Sequence, residues 1–450
     1  MSHAESNRRV FFFGWFLAIA MLWLAFRGSQ RHADFLVTDL AAWQGDWQGL
    51  IGCLTRASAA VPCFGQVSKF PLAYLINSLM LGVSPGRAQL LLTLVNGFAL
   101  VLPIVVLALT QGLSVVRHVG WPYLLALALS PLPMFYVASG ALEVQAGVFC
   151  GIYLGGLARI LTSSHLDAGK RTAWVVAIAG LVFPLYKDTA AVLVGFGVLV
   201  TLAWHANGLR EVASTPVGRA RLWRCGLLFT GPVLLGQLLD LSYCWVKFGV
   251  PLPLAYMNEA AEAGPSYARS AEFLAGSLLS PNGGVLIFWC FPLFIAIAGW
   301  RVAGFIPRRT VVFLAITSAA VFLVALSRWW TPFGWDGWGN RLMIPVMVAT
   351  LAAFPFAMRP RQLATEPMLS RRVCLTCAPL VAASFYYVAL PYTQSQARSL
   401  RDSLRPGMHC MRMSDFQATP QPLAFWRSDI YYSCARERML YIPWRHSRVR

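Results

Sequence analysis

Long apolar runs, broken by short polar connections that carry arginine, recur from residue 10 to residue 392. They fall near 10–26, 88–110, 121–139, 143–162, 172–186, 188–205, 223–246, 284–304, 310–328, 342–358 and 373–392. A helix needs roughly 20 apolar residues to cross the hydrocarbon layer, and most of these runs approach that length. The pattern predicts an all-α, polytopic membrane protein of about 11 transmembrane helices, since a β-barrel would show alternating segments of roughly ten residues. Between 172 and 205, Pro184, Lys187 and Asp188 interrupt the apolar run, so two short spans turning near Lys187 fit better than one helix.

The connections differ in kind. Residues 27–87 form a long first loop with two interfacial candidates; one of them, FPLAYLINSLMLGV, is too short to span and suits a helix lying in the interface. Residues 393–450 lack the apolar pattern and are rich in arginine, so the chain divides into a core, 1–392, and a tail, 393–450. No internal repeat appears, and no inverted pair of broken helices of the kind that marks secondary transporters.

Composition agrees: 57% of the residues are hydrophobic, 12% are charged, and the mean hydropathy is +0.58. A soluble protein would carry about twice that charged fraction. The net charge of +19 does not make a nucleic-acid surface, because the basic residues are spread over short loops rather than gathered in one patch. They read instead as topology signals. Arg117, Lys170–Arg171, Arg219–Arg224, Arg308–Arg309 and Arg359–Arg372 fall on alternate loops, on the same side as Arg8 and Arg9. That side is expected to be cytoplasmic, with 10–26 an uncleaved first span. Loops 27–87, 247–283 and 329–341, and the tail, then face the periplasm or outside. Scarce lysine beside abundant arginine suggests a GC-rich bacterial genome, and the membrane is then expected to be a bacterial inner membrane. Cys53 with Cys63, and Cys410 with Cys434, are each placed for a disulfide in such an oxidising space. The cysteines within or beside spans read as small core residues.

Acidic residues are few, and a carboxylate close to hydrocarbon is costly enough to suggest function. On the expected outer side stand Asp34, Asp39 and Asp46, then Glu143 in SGALEVQAG, Asp188, and Asp336 in the tryptophan-rich WWTPFGWDGWGNR. Asp46 in GDW reads equally as a turn or helix cap, and Lys187 with Asp188 equally as a local ion pair. The outer bases Lys69, Lys187, Arg328 and Arg341 flank apolar or aromatic segments, where they suit a phosphate at headgroup depth. Snorkelling to ordinary lipid phosphates is the competing reading. There is no Walker loop, dinucleotide fingerprint or nucleophile elbow, so an activated substrate is expected to be lipid-borne.

Together these stretches resemble the GT-C superfamily of membrane glycosyltransferases, which use polyprenyl-phosphate sugars. DFLVTDLAAWQGDW is similar to the first-loop acidic segment of the aminoarabinosyl, protein-mannosyl and bacterial polyprenyl-phosphate-mannose branches. SKFPLAYLINS resembles the E-K-P-x-x-Y-W-I-N-S stretch of the first of these, with Phe70 intervening before the proline and Ser68 standing for the glutamate. Glu143 falls where a second outer acid is usual. Trp335 to Pro345 is similar to the family's late glycine–arginine–proline loop, with Asn340 where proline is common. The likeness covers residues 1–360.

The resemblance implies inverting transfer of a sugar from a polyprenyl-phosphate donor to a glycan, lipid or protein acceptor on the extracytoplasmic face. Asp34 or Asp39 would be the base. Lys69 and Arg341 would hold the donor phosphate, Glu143 would orient acceptor or sugar, and Lys187 would join the substrate-binding set. Asp336, Trp335 and Trp338 would line the binding site, the tryptophans also serving as interface anchors. No cofactor is required, although the clustered acids leave room for a divalent metal that the spacing does not show. An O-antigen-ligase or polymerase using a diphosphate-linked donor, and a flippase for a lipid-linked saccharide, are the rival expectations. A flippase should carry charge inside several spans.

Overall fold

In a computed structural model of the chain, the described residues are 88–113, 115–116, 143–161, 169–187, 206–251 and 341–357, with single positions at 16, 19, 20, 72, 76, 123, 127, 137, 195, 202 and 274. Among them the regular structure is entirely helical and contains no strand. Six α-helices are present: α1 (Ala88–Gln111), α2 (Glu143–Leu161), α3 (Gly169–Tyr186), α4 (Ala206–Ala213), α5 (Pro216–Phe248) and α6 (Ile344–Ala357). A 3₁₀ turn, Arg341–Met343, leads into α6. α1, over Leu90–Gln111, and α5, over Pro216–Val246, are long and apolar enough to cross a membrane; the apolar part of α6 is shorter.

Five of the expected apolar runs, 88–110, 143–162, 172–186, 223–246 and 342–358, coincide with described helices. The other six lie outside the described residues or are met only at single positions. α3 stops at Tyr186, and the Lys187 N–H still reaches the Phe183 carbonyl at 3.1 Å. The interruption read near Lys187 is therefore a helix end.

Local chemistry sets the other ends. α1 closes on Gly112, whose φ of 92° lets its N–H turn back to the Ala108 carbonyl at 2.8 Å. α5 opens on a Thr215 cap whose Oγ1 accepts from the Gly218 N–H at 3.0 Å, with Pro216 directly following. That cap starts the helix about two turns before the apolar run, through Arg219 and Arg221. Hydropathy alone placed the start at 223 because it cannot see a cap. α5 ends at Gly249, which is in the left-handed region at φ 71°.

α2 is the hub, buried along nearly its whole length from Val144 to Ile160. Gly147, Gly151 and Gly155 recur every four residues and form one face against α6. A Cβ added to Gly151 would stand 2.3 Å from the Ala349 carbonyl oxygen and 2.6 Å from the Ala352 Cβ. The equivalent atom at Gly147 would meet Val348 and the Pro345 oxygen, and at Gly155 would meet Ala353 and Phe356. Residue number rises together on both helices, so α2 and α6 are parallel.

α3 runs the other way. Gly156 faces Val176, Tyr153 faces Gly180 and Phe183, and Phe149 stacks on Tyr186 with ring centroids 5.7 Å apart. α5 lies parallel to α3, with Gly236 against the Leu181 oxygen and Pro184. The Tyr153 hydroxyl donates to the Phe229 carbonyl at 3.2 Å, fastening α2 to α5. α1 runs with α2, joined by a Gln145–Asn96 contact; its far end meets α3, where the Arg171 guanidinium donates to the Leu109 carbonyl at 3.3 Å. These relative directions, α1, α2 and α6 one way and α3 and α5 the other, are those the alternating arginine loops require.

Candidate functional site

The helix directions gather chemistry at one end of the bundle. α2 begins there with Glu143, α3 finishes there at Lys187, and α6 begins there after the Arg341–Met343 turn. The Lys187 Nζ stands 3.7 Å from Glu143 Oε1, with 14% and 11% of the two side chains exposed. That distance is an ion pair longer than a hydrogen bond. Coulomb attraction at such a separation is about 4 kcal/mol at an effective dielectric of 20, much of it cancelled by the water each group gives up.

Aromatic packing holds the pair. Beneath it, Phe149 stacks on Tyr186, the residue before Lys187, at an interplanar angle of 14°. One turn deeper, Tyr153 packs on Phe183 and meets Phe229 edge-on. The Lys187 end of α3 is thereby fixed against the start of α2.

A buried amide network lies at the same end of α2 but on another face, since Gln145 is about 200° around the helix from Glu143. Gln145 Nε2 donates to Asn96 Oδ1 at 2.9 Å, and Asn96 Nδ2 donates to the Val137 carbonyl at 2.9 Å. Asn96 is fully buried and Gln145 nearly so. Four residues on, the Tyr123 hydroxyl donates to the Leu100 carbonyl. An amide inside an apolar helix is costly unless satisfied, and here each satisfies the other across two helices.

Asp240 is a further acid at this level. It is 1% exposed and lies on the face of α5 that also carries buried Phe229, Gly236 and Cys244. Because Gly236 packs on Leu181 and Pro184, one turn further along α5 brings Asp240 level with Tyr186 and Lys187. α6 enters by the same reasoning. Gly147 meets Pro345 and Val348, so the backbone at Arg341 begins level with Glu143.

Of the site residues expected from the sequence, Glu143 and Lys187 thus meet from segments far apart in the chain, and the backbone at Arg341 begins at the same end. Asp34, Asp39, Lys69, Trp335, Asp336 and Trp338 lie outside the described residues, as do Asp46, Asp188, Arg328 and both proposed disulfides. Cys150 and Cys244 are buried core residues, as their positions in apolar runs suggested. Asn96, Gln145 and Asp240 were not singled out by motif, although each interrupts an apolar run with a group that hydrocarbon disfavours, and that is a readable signal. Chemically, the arrangement offers a cation for an anionic group, the Glu143 carboxylate for hydroxyl contacts, and an apolar floor. Comparison with protein-family models, curated proteins and solved structures finds no match for the chain.

Proposed function

We propose that the chain is an integral-membrane inverting glycosyltransferase. It moves a sugar from a polyprenyl-phosphate donor to a glycan, glycolipid or protein acceptor at the extracytoplasmic face of a bacterial inner membrane. The observation that supports it best is the meeting of Glu143 and Lys187 at 3.7 Å, level with the start of the helix that follows Arg341.

In the reaction, an acceptor oxygen attacks the anomeric carbon, the bond from that carbon to the phosphate oxygen breaks, and polyprenyl phosphate leaves. A carboxylate, Asp34 or Asp39, takes the acceptor's proton. Lys69, Lys187 and Arg341 stabilise the charge that grows on the departing phosphate. Glu143 keeps the Lys187 ammonium aimed, and accepts a hydroxyl of sugar or acceptor. Asp336, Trp335 and Trp338 border the sugar. One displacement inverts the anomeric centre.

Asp240 favours a second reading, a flippase for a lipid-linked saccharide, because it is a carboxylate buried within a helix long enough to span. The two separate cleanly. Purified protein in vesicles is offered a panel of polyprenyl-phosphate sugars with acceptor extracts, and released polyprenyl phosphate is measured beside the D34N, D39N, K187Q and R341A variants. Turnover lost in one Asp variant and reduced in K187Q and R341A supports the transferase. Consumption of a diphosphate-linked donor instead supports a ligase, and translocation without cleavage supports the flippase.

A further inference from the structure

The end of the bundle opposite Glu143 has the reverse chemistry. There α3 begins with exposed Lys170 and Arg171, and α4 carries exposed Arg210. The first turns of α5 expose Arg219, Arg221 and Arg224. Glu211 is the one acid among the described residues of this group. We propose that the start of α5, with α4, is a binding surface for the headgroup of an anionic phospholipid whose acyl chains lie along α5. The proposal rests on the membrane reading above but not on the transferase reading.

The outer face of α5 has the dimensions of a bilayer. Trp223 and Trp245 are 73% and 60% exposed and stand 22 residues apart. At 1.5 Å rise per residue that is about 33 Å, close to the hydrocarbon thickness of roughly 30 Å. At 100° per residue the two rings lie about 40° apart around the helix, so they share a face. Exposed Leu227, Leu234 and Leu238 fill the same face between them. A tryptophan at each end of a leucine stripe is the arrangement expected where a helix crosses both interfaces.

That spacing puts Trp223 at headgroup level, with Arg221 and Arg224 beside it and Arg219 one turn further out. α4 is joined by the turn at Ser214 and Thr215, and its Leu209 and Val212 are half-buried while Arg210 faces out. Arg219 and Arg224 lie about 40° and 100° around the helix from Trp223, on either side of the stripe and within about 7.5 Å of rise, where they suit a phosphate diester by N–H contacts. A zwitterionic lipid brings its own ammonium into the same cluster, so charge complementarity selects the anionic one.

The full chain, purified in a non-ionic detergent, is titrated with dioleoylphosphatidylglycerol and with dioleoylphosphatidylcholine, and bound lipid is counted by native mass spectrometry. Each arginine near such a surface is worth about fivefold in affinity, so the glycerol lipid should bind at least tenfold more tightly. The preference should shrink with added salt. R219Q/R221Q/R224Q should abolish it, and R219K/R221K/R224K should keep most of it. Equal binding of the two lipids by the wild type, a preference untouched by the glutamines, or stronger binding of a short oligonucleotide than of the glycerol lipid would each overturn the proposal. Should the glutamine variant fail to fold, the wild-type comparison and its salt dependence decide. Carbonate-resistant insertion into pure phosphatidylcholine vesicles tests the membrane reading separately. A chain that inserts but shows no preference refutes the lipid surface alone, whereas one that does not insert refutes both.

Discussion

Substituting Gly151 by alanine adds one methyl group at the closest approach of α2 and α6. Its Cβ would stand 2.3 Å from the Ala349 carbonyl oxygen and 2.6 Å from the Ala352 Cβ. Contacts of these types settle nearer 3.5 Å, so the helices must part by about 1 Å. Neither obstacle can turn aside, since one is backbone and the other a side chain's first atom. Overpacking of this kind typically costs about 1–3 kcal/mol, and the lack of a rotamer escape points to the upper part of that range. Alanine returns about 0.5–1 kcal/mol of helix propensity. The net expectation is a loss of about 2 kcal/mol, roughly 30-fold in the folded-to-unfolded ratio. Gly226→Ala is the control, because nothing stands within 4 Å of its added Cβ. It should gain about 0.5–1 kcal/mol from propensity alone. Unfolding in mixed micelles by graded SDS, followed by tryptophan fluorescence, measures both. A G151A protein as stable as wild type, or a G226A protein destabilised to the same degree, would refute the close-packed α2–α6 contact. Because α6 follows Arg341, a displacement of about 1 Å should also lower the proposed transferase turnover by around 10²-fold.

Asn96→Leu and Gln145→Leu, singly and together, should show a coupling energy of about 0.6–1.7 kcal/mol in the same unfolding assay; a coupling near zero would break the amide link between α1 and α2. Lys187→Gln and Glu143→Gln each leave a largely buried charge without its partner, so each should cost up to about 3–5 kcal/mol of stability and lower the proposed transferase turnover more than tenfold, with the double variant no worse than the weaker single. Effects that simply multiply would mean the two groups act separately. Thr215→Ala removes the cap of α5 and should cost about 1 kcal/mol, while Thr215→Ser should be nearly neutral; equal losses would assign the effect to packing.

Apolar run length located α1, α2, α3 and α6 to within a few residues, because a helix surrounded by hydrocarbon or other helices needs little besides continuous apolarity. The interruption at Pro184, Lys187 and Asp188 likewise marked the end of α3. What run length cannot carry is polar chemistry that overrides it. The first two turns of α5 hold arginines, and their helicity comes from the Thr215 cap and Pro216. α4 is too short and too polar to register. Glu143 and Lys187 were visible singly, but their meeting depends on an antiparallel register between α2 and α3 that no local spacing encodes. The glycines at 147, 151 and 155 were visible as a four-residue spacing, whereas the partner they accept lies some 200 residues away in sequence.

That separation bears on how the molecule is made. The helix that fills the glycine face of α2 is synthesised last among the described elements, about 200 residues after Gly151. At roughly 5–20 residues per second, the face waits on the order of 10–40 s before its partner emerges. During that interval α2, α3 and α5 can already assemble through Tyr153, Phe183 and Phe229. Until α6 docks, a nascent chain can display Glu143 and Lys187 without the third segment that completes their end of the bundle. Ribosome-bound chains that stop short of residue 344 should therefore leave the glycine face of α2 without its α6 partner.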